Sequence, residues 1–296
     1  MRVLLTGRNG QIGWELERVL QPLGQVFGLD RQSMDLAKLD SIRAAVREIK
    51  PKLIVNAAAY TAVDQAEKEP QGAMAINGTA PGILAEEAKR LGAAMVHYST
   101  DYVFDGTKAA PYTEEDAPNP INIYGKSKLA GEQAIEAAGV PHLIFRTSWV
   151  YGARGKNFLL TIRRLASERD ELRIVADQIG APTWSRAIAE ATGQILASCL
   201  SPALGGFWRL EEYSGTYHLS AAGETSWYGF AVAIVDHIGS NGPRPRIVPI
   251  SSSEYPLPAR RPANSTLSGE AVSVKFGLAL PDWASSFALC ANELGR

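Results

Sequence analysis

Apolar positions in the first 150 residues follow two alternating periods. Short runs rich in aliphatic and β-branched residues at 3–6, 26–29, 53–55, 94–98 and 142–146 predict strands. Between them, apolar residues recur at helical spacing over 11–20, 39–49, 73–91 and 126–138. The first of these predicted helices places Ile12, Leu16, Val19 and Leu20 on one face. Strands separated by helices of this length form βαβ units with right-handed crossovers, hence a parallel sheet covered on both faces. Such a sheet receives ligands beyond the carboxyl ends of its strands. Three strand ends are therefore singled out: Thr6-Gly7, Asn56-Ala57 and Ser99-Thr100.

After about residue 150 the alternation breaks. Helical patterns persist at 158–169 and 187–200, and short strands are predicted at 173–175 and 217–219. The tail gathers Pro243, Pro245, Pro249, Pro256, Pro258 and Pro262. The predicted fold is α/β: a Rossmann-type doubly wound parallel sheet over residues 1–150, with a smaller mixed lobe over 151–296. That lobe is read as mainly the substrate lobe, with segments that can return to the sheet. No internal repeat or clear linker interrupts the chain.

Composition narrows the chemistry. Among 296 residues, Lys+Arg 30 nearly balance Asp+Glu 31, so no charge excess points to nucleic acid or an anionic membrane. Cys199 and Cys290 are too few for a disulfide framework and carry no metal-ligand spacing. Neither a signal-peptide core nor a long apolar span is found, which leads to the expectation of a cytoplasmic protein.

Thr6-Gly7-Arg8-Asn9-Gly10-Gln11-Ile12-Gly13 joins the first strand to the first helix. Gly7, Gly10 and Gly13 permit a tight turn, close approach of a pyrophosphate and close helix–strand packing, with the anion on free N–H groups. Asp30, at the end of the second strand, suits the adenosine ribose hydroxyls. It disfavours a 2′-phosphate that Arg8 and Arg31 can neutralise, so either NADPH or NADH is expected. Tyr124 and Lys128 stand four apart on a predicted helix face. An ammonium beside a phenol lowers its pKa, and such a tyrosine can protonate a ketone oxygen as hydride reaches the carbon. Thr100, or Ser99 beside it, can hydrogen-bond the same oxygen.

Segments 7–13, 55–64, 96–104, 124–132, 145–151, 177–183 and 261–265 carry a resemblance that runs almost end to end. The chain resembles the extended short-chain dehydrogenase/reductases that act on nucleotide sugars, and within them the dTDP-4-dehydrorhamnose reductases. The resemblance implies reduction of a 4-keto-6-deoxysugar nucleotide, with Tyr124 as general acid and Lys128 orienting it and binding the nicotinamide ribose. Thr100 would tune the ketone contact. It places Gly7, Gly10, Gln11, Ile12, Gly13, Asp30, Ala59, Tyr60 and Thr61 along the cofactor, Asp35 and Leu36 near the adenine, and Thr100, Asp101 and Trp149 against the sugar. Related dehydratases carry Thr-Asp-Glu where this chain has Thr100-Asp101-Tyr102, so elimination chemistry would lack its base. Some members dimerise through magnesium held by surface glutamates. Glu15 is kept here, but Arg186 replaces the second acidic position, so no metal and a monomer or weak homodimer are expected.

Other residues are read more plainly. Asn56 either caps its strand or contacts the cofactor, and His97 reads as a satisfied core histidine. Trp149, at a strand's carboxyl end, suits stacking on a sugar ring. Arg261 is a candidate for the substrate diphosphate, and Asn157 and Gln178 are weaker polar candidates. Two alternatives stand beside the reductase: another nucleotide 4-keto-6-deoxysugar reductase or epimerase, and a non-catalytic regulatory subunit like that of methionine adenosyltransferase.

Overall fold

Strands β1 (Arg2–Thr6), β2 (Gln25–Leu29), β3 (Leu53–Asn56), β4 (Ala94–Thr100) and β5 (His142–Thr147) lie side by side and parallel. The structure is a computed structural model and describes residues 1–200, 209–238 and 244–294. A sixth strand, β6 (Gly215–His218), pairs with β5 and completes the order β6-β5-β4-β3-β1-β2. The short strand predicted near Tyr217 thus lies in the main sheet. The cause is burial: Tyr217 and Leu219 join Phe145, Leu143 and Val96 in one apolar cluster.

The sheet is doubly wound. Alternate residues such as Val3 and Leu5 face α1 (Gln11–Val19), and Leu4, Ile54, Met95 and Ile144 face the opposite side. There they pack against α2 (Leu39–Ile49), α3 (Ala80–Arg90) and α4 (Ile123–Ala138), through Ile42, Val46, Leu84, Ala88 and Ile135. Both faces are dry, as the continuous apolar strand sequences require. A third cluster lies in the second lobe, where α5 (Phe158–Glu168), α7 (Trp227–Ile238) and α8 (Trp283–Leu294) bury Leu159, Ile162, Phe230, Ile234, Phe287 and Cys290. A parallel pair, Glu171–Val175 with Arg246–Ile250, borders it. Helix α6 (Ser185–Leu200) crosses back and packs through Ile188, Ile195 and Leu196 on the β1 side of the sheet. Its Arg186 is bonded to Glu15 of α1 and Glu293 of α8. Among the described residues, no helix is long and apolar enough to cross a membrane.

Two helices differ from their predicted spans in ways that matter for function. Asn122 caps α4 by accepting from the Gly125 N–H at 2.7 Å, so the helix begins at Ile123 and Tyr124 sits in its first turn. The predicted helix over 73–91 is instead Pro70–Met74, a π turn at Ala75–Thr79, and α3. The widened turn points Asn77 inward, as π bulges at functional sites commonly do.

Beneath α4, Glu132 and Arg146 of β5 form a buried ion pair, Nη2 to Oε2 at 2.7 Å, with side-chain exposures of 2% and 6%. The guanidinium lies over the Phe104 ring. Removing one partner strands the other charge out of water. Arg146→Met is therefore expected to cost roughly 3–5 kcal/mol in urea unfolding, and adding Glu132→Leu should recover most of it. Equal stability of the single and double variants would contradict this account.

Candidate active site

The carboxyl ends of β1–β5 open into a cavity of about 800 Å³. One end is the glycine loop. Gly7 has φ +69°, and a Cβ there would fall 2.8 Å from the Ala58 backbone, while a Cβ on Gly13 would collide with the Gly7 carbonyl. Gly10 precedes α1 without a side-chain cap, leaving the first-turn N–H groups near Gln11 and Ile12 for an anion. Thr6, Gly7, Gly10, Gln11 and Ile12 line the cavity; Gly13 lies behind it and sets the close packing of α1. This cradle of backbone donors, left uncapped by Gly10, fits a dinucleotide diphosphate.

Asp30 stands at the rim and organises its own turn. Its Oδ1 accepts from the Gln32 and Ser33 N–H groups at 3.0 Å and from the Ser33 hydroxyl at 2.6 Å. These bonds, the Ser33 hydroxyl foremost, hold its carboxyl below the usual range. Oδ2 is left facing Asn9 at 3.5 Å. Of the two candidate cations, Arg8 is turned back onto Glu17 at 2.7 Å and the Gly28 carbonyl. Arg31 is 84% exposed, lines the cavity and approaches Asp35 only to 4.0 Å. Asp35 and Leu36 line the same end. Ala59, Tyr60 and Thr61 form another wall, and the inward Asn77 clamps it: Asn77 bonds both the N–H and the carbonyl of Tyr60, at 2.8 and 2.9 Å, and the Ser127 hydroxyl of α4 at 3.0 Å.

At the centre, Thr100, Asp101, Tyr124 and Lys128 all line the cavity. Tyr124 and Thr100 share this part of the cavity, and Tyr102 meets Tyr124 edge-on with ring centroids 5.8 Å apart. Burial pushes the Tyr124 phenol up to about 12, so it stays protonated at neutral pH. The expected direct support of the phenol by Lys128 is replaced by another arrangement. Lys128 Nζ donates to the Tyr98 carbonyl at 2.6 Å and lies 3.1 Å from His97 Nε2. Burial lowers the ammonium to about 8. Asp101 receives the Thr100 hydroxyl at 2.8 Å on Oδ1, whereas its buried Oδ2 has no hydrogen-bond partner among the described residues. Burial raises this carboxyl to about 6.

Trp149 and Trp227 line the other end with indoles stacked at 3.5 Å and 3°. Trp149 has φ +45°, a left-handed conformation that costs a bulky residue about 1–3 kcal/mol, and it is held by Nε1 donation to Ser265 Oγ at 3.1 Å. Gly180 leaves room for its ring. Arg261 does not line the cavity; it forks onto Asp64 at 3.1 and 2.7 Å and bonds the Ala259 carbonyl. Gln178 is likewise outside, bonded to Ser252. Asn157 caps α5 and bonds Gln11 Oε1 at 2.9 Å, joining the second lobe to the glycine loop. Sequence reasoning did not reach Trp227, Lys156, Met34 or Ile76, which line the cavity from separate elements. Only the aromatic Trp227-Tyr228 at a helix start offered a signal.

Comparison with known proteins agrees with this geometry. The sequence model of the RmlD substrate binding domain family matches residues 1–296. The dTDP-4-dehydrorhamnose reductase of Burkholderia thailandensis is 52% identical, with 99% of each chain covered. That of Escherichia coli K12 is 42% identical, covering 99% of this chain and 98% of the relative. Among solved structures, dTDP-4-dehydrorhamnose reductase from Bacillus anthracis in complex with NADP superposes with a TM-score of 0.90 at 36% identity, with 99% of each chain covered. A Thermus thermophilus UDP-glucose 4-epimerase complexed with NAD, 20% identical with a TM-score of 0.79 over 100% of this chain and 99% of that one, shares the fold.

The Asp101 carboxyl generates a stability prediction. Burial raises its folded pKa to about 6, above the ordinary aspartate range near 4, so the folded state takes up a proton as pH falls through about 6 to 4, and stability rises in that window. At neutral pH the buried charge is a cost on the order of 3 kcal/mol. Asp101→Asn should raise the denaturation midpoint at pH 7, with the gain vanishing below about pH 4. A loss of stability at pH 7 would contradict this.

Proposed function

The chain belongs to the RmlD substrate binding domain family, and from that membership we infer that it reduces the 4-keto group of dTDP-4-dehydro-β-L-rhamnose to give dTDP-β-L-rhamnose. This is the last step of dTDP-L-rhamnose synthesis, run with NADPH or NADH. The observation that carries the reading is one cavity holding both the glycine cradle and the Thr100–Tyr124 pair, with Lys128 on the same helix face.

Gly7, Gly10, Gln11 and Ile12 hold the diphosphate of the cofactor, Asp30 the adenosine ribose, Asp35 and Leu36 the adenine side, and Ala59, Tyr60 and Thr61 the wall that Asn77 stiffens. A reduced nicotinamide bound along this wall supplies the hydride. Tyr124 keeps its proton at neutral pH and delivers it to the ketone oxygen. Thr100 fixes the phenol's position and shares the oxygen contact. Lys128 orients this end and reaches the nicotinamide ribose. Asp101 and the Trp149 indole contact the deoxysugar, with Trp227 backing Trp149 as an apolar wall suited to the 6-methyl group. Tyr102 occupies the place where elimination chemistry would need a carboxylate, which favours simple reduction. Arg261 enters through Asp64: the pair ties the segment after Ala259 to the turn beyond Tyr60.

Residues 1–150 serve as the dinucleotide domain and 151–296 mainly as the substrate lobe, with α6 and β6 returned to the sheet. The same reading makes the protein cytoplasmic and a monomer or weak homodimer; both cysteines are buried thiols, in keeping with a reducing compartment.

Tyr124→Phe should lower kcat about 10²–10⁴-fold while NADPH affinity changes little, and NMR of the wild-type product should show the L-rhamno configuration at C4. Undiminished turnover in Tyr124→Phe would remove the tyrosine from its role.

A further inference from the structure

Three polar residues stand in register across the central strands: Thr6 of β1 opposite Asn56 of β3, and Asn56 opposite His97 of β4. All point to the α4 side, at the end of the apolar row made by Leu4, Ile54 and Met95. They are at most 1% exposed, as is Lys128, which reaches down from α4 to join them. The chain of contacts is unbroken. Thr6 Oγ1 is 2.6 Å from Asn56 Oδ1, Asn56 Nδ2 is 2.9 Å from His97 Nδ1, and His97 Nε2 is 3.1 Å from Lys128 Nζ.

Donor and acceptor counting turns this geometry into a constraint. A neutral imidazole has one donor and one acceptor, an ammonium has donors only, and a primary amide has one end of each kind. In the arrangement above, Thr6 donates to Asn56 and Asn56 donates to His97 Nδ1, which places the imidazole proton on Nε2. That proton can bond Lys128 only if the amine is uncharged and offers its lone pair. A charged Lys128 must instead donate to Nε2. The imidazole proton then moves to Nδ1, the Asn56 amide turns its oxygen toward His97, and its NH2 faces Thr6. The Thr6 hydroxyl, already accepting from the Ala58 N–H at 3.2 Å, is released to donate into the cavity that Thr6 lines.

We propose that His97 is a positioning residue whose tautomer is locked to the charge of Lys128, so that protonation at the catalytic helix sets the hydrogen-bond direction of Asn56 and Thr6 beneath the glycine loop. The proposal rests on the reductase reading only in its kinetic part. It adds a role for a residue otherwise read as core filling.

The environment permits both states. His97 is held neutral by burial and by the neighbouring Lys128, its pKa far below the ordinary value. Lys128 is brought to about 8 by burial, with Glu132 one turn along the helix opposing the shift. The other ionisable groups around the site are Tyr124 on α4, Asp101 and Tyr102 after β4, and Arg146 on β5, already paired with Glu132. Lys128 therefore gains and loses its proton within an accessible range, and His97 must follow.

The test is 15N NMR of histidine-labelled protein without substrate, over about pH 6 to 10. His97 is expected to remain neutral throughout, with its proton on Nδ1 at the acid end and on Nε2 at the alkaline end. The midpoint should lie near 8, and the change should be absent in Lys128→Met. A tautomer that stays fixed in the wild type, or a change that persists in Lys128→Met, overturns the proposal. In the kinetic arm, His97→Gln keeps an acceptor for Lys128 but cannot change tautomer. It should shift the alkaline limb of the kcat profile and lower kcat about 10–100-fold, with the KM for NADPH changed little. An unaltered pH profile counts against the proposal. Failure to turn over the keto sugar in the wild type would overturn the reductase reading alone, since the NMR result needs no substrate.

Discussion

A lysine with 1% of its surface exposed is the constraint around which the site is arranged. Taking an ammonium out of water is tolerable only if its donors are met. Here two of its three donors are met by the Tyr98 carbonyl and by His97, both on β4. The demand fixes how far α4 stands from the sheet and therefore where Tyr124, one turn earlier, presents its phenol. It also explains why β4 runs on to Thr100: the same strand that satisfies Lys128 must deliver Thr100 and Asp101 to the cavity.

The surrounding structure holds this helix in place from two directions. Asn122 caps it, and in turn donates to the Arg260 carbonyl of the second lobe at 2.8 Å. From the other side, the π turn carries Asn77 against Ser127, coupling α4 to the loop of Tyr60. The cavity wall at Tyr60 and helix α4 are thus joined through one amide side chain. The substrate end is built differently, from two stacked indoles and a strained Trp149 backbone that its partners keep in place. Rigid polar positioning sits at the Thr100–Tyr124 end of the cavity and an apolar wall at the other, a division that the proposed 4-keto-6-deoxysugar would match.

Much of this was legible in the sequence because it depends on local spacing. The glycine loop, the alternation of strands and helices, and the four-residue interval from Tyr124 to Lys128 each act over a few residues. What the sequence concealed are relations between distant segments. Nothing near Lys128 announces that its proton acceptors are Tyr98 and His97, because only strand register brings them under the helix. Arg261 looked like a phosphate ligand since its charge is visible and its partner Asp64, 197 residues away, is not. The π turn was hidden inside a helical period, and although a strand near Tyr217 was legible, its partner β5 was not, because the pairing spans more than seventy residues. Trp227 reaches the cavity only through the packing of the second lobe.

The central claim is direct hydride delivery to C4 of the sugar with the proton supplied by Tyr124. The most direct measurement supplies cofactor carrying deuterium at nicotinamide C4 to the enzyme and dTDP-4-dehydrorhamnose in ordinary water, and locates the label in the product by NMR and mass spectrometry. One deuterium at C4 of the rhamnosyl ring, and none elsewhere, is the predicted result. Deuterium at another carbon, or product formed without label, would contradict it.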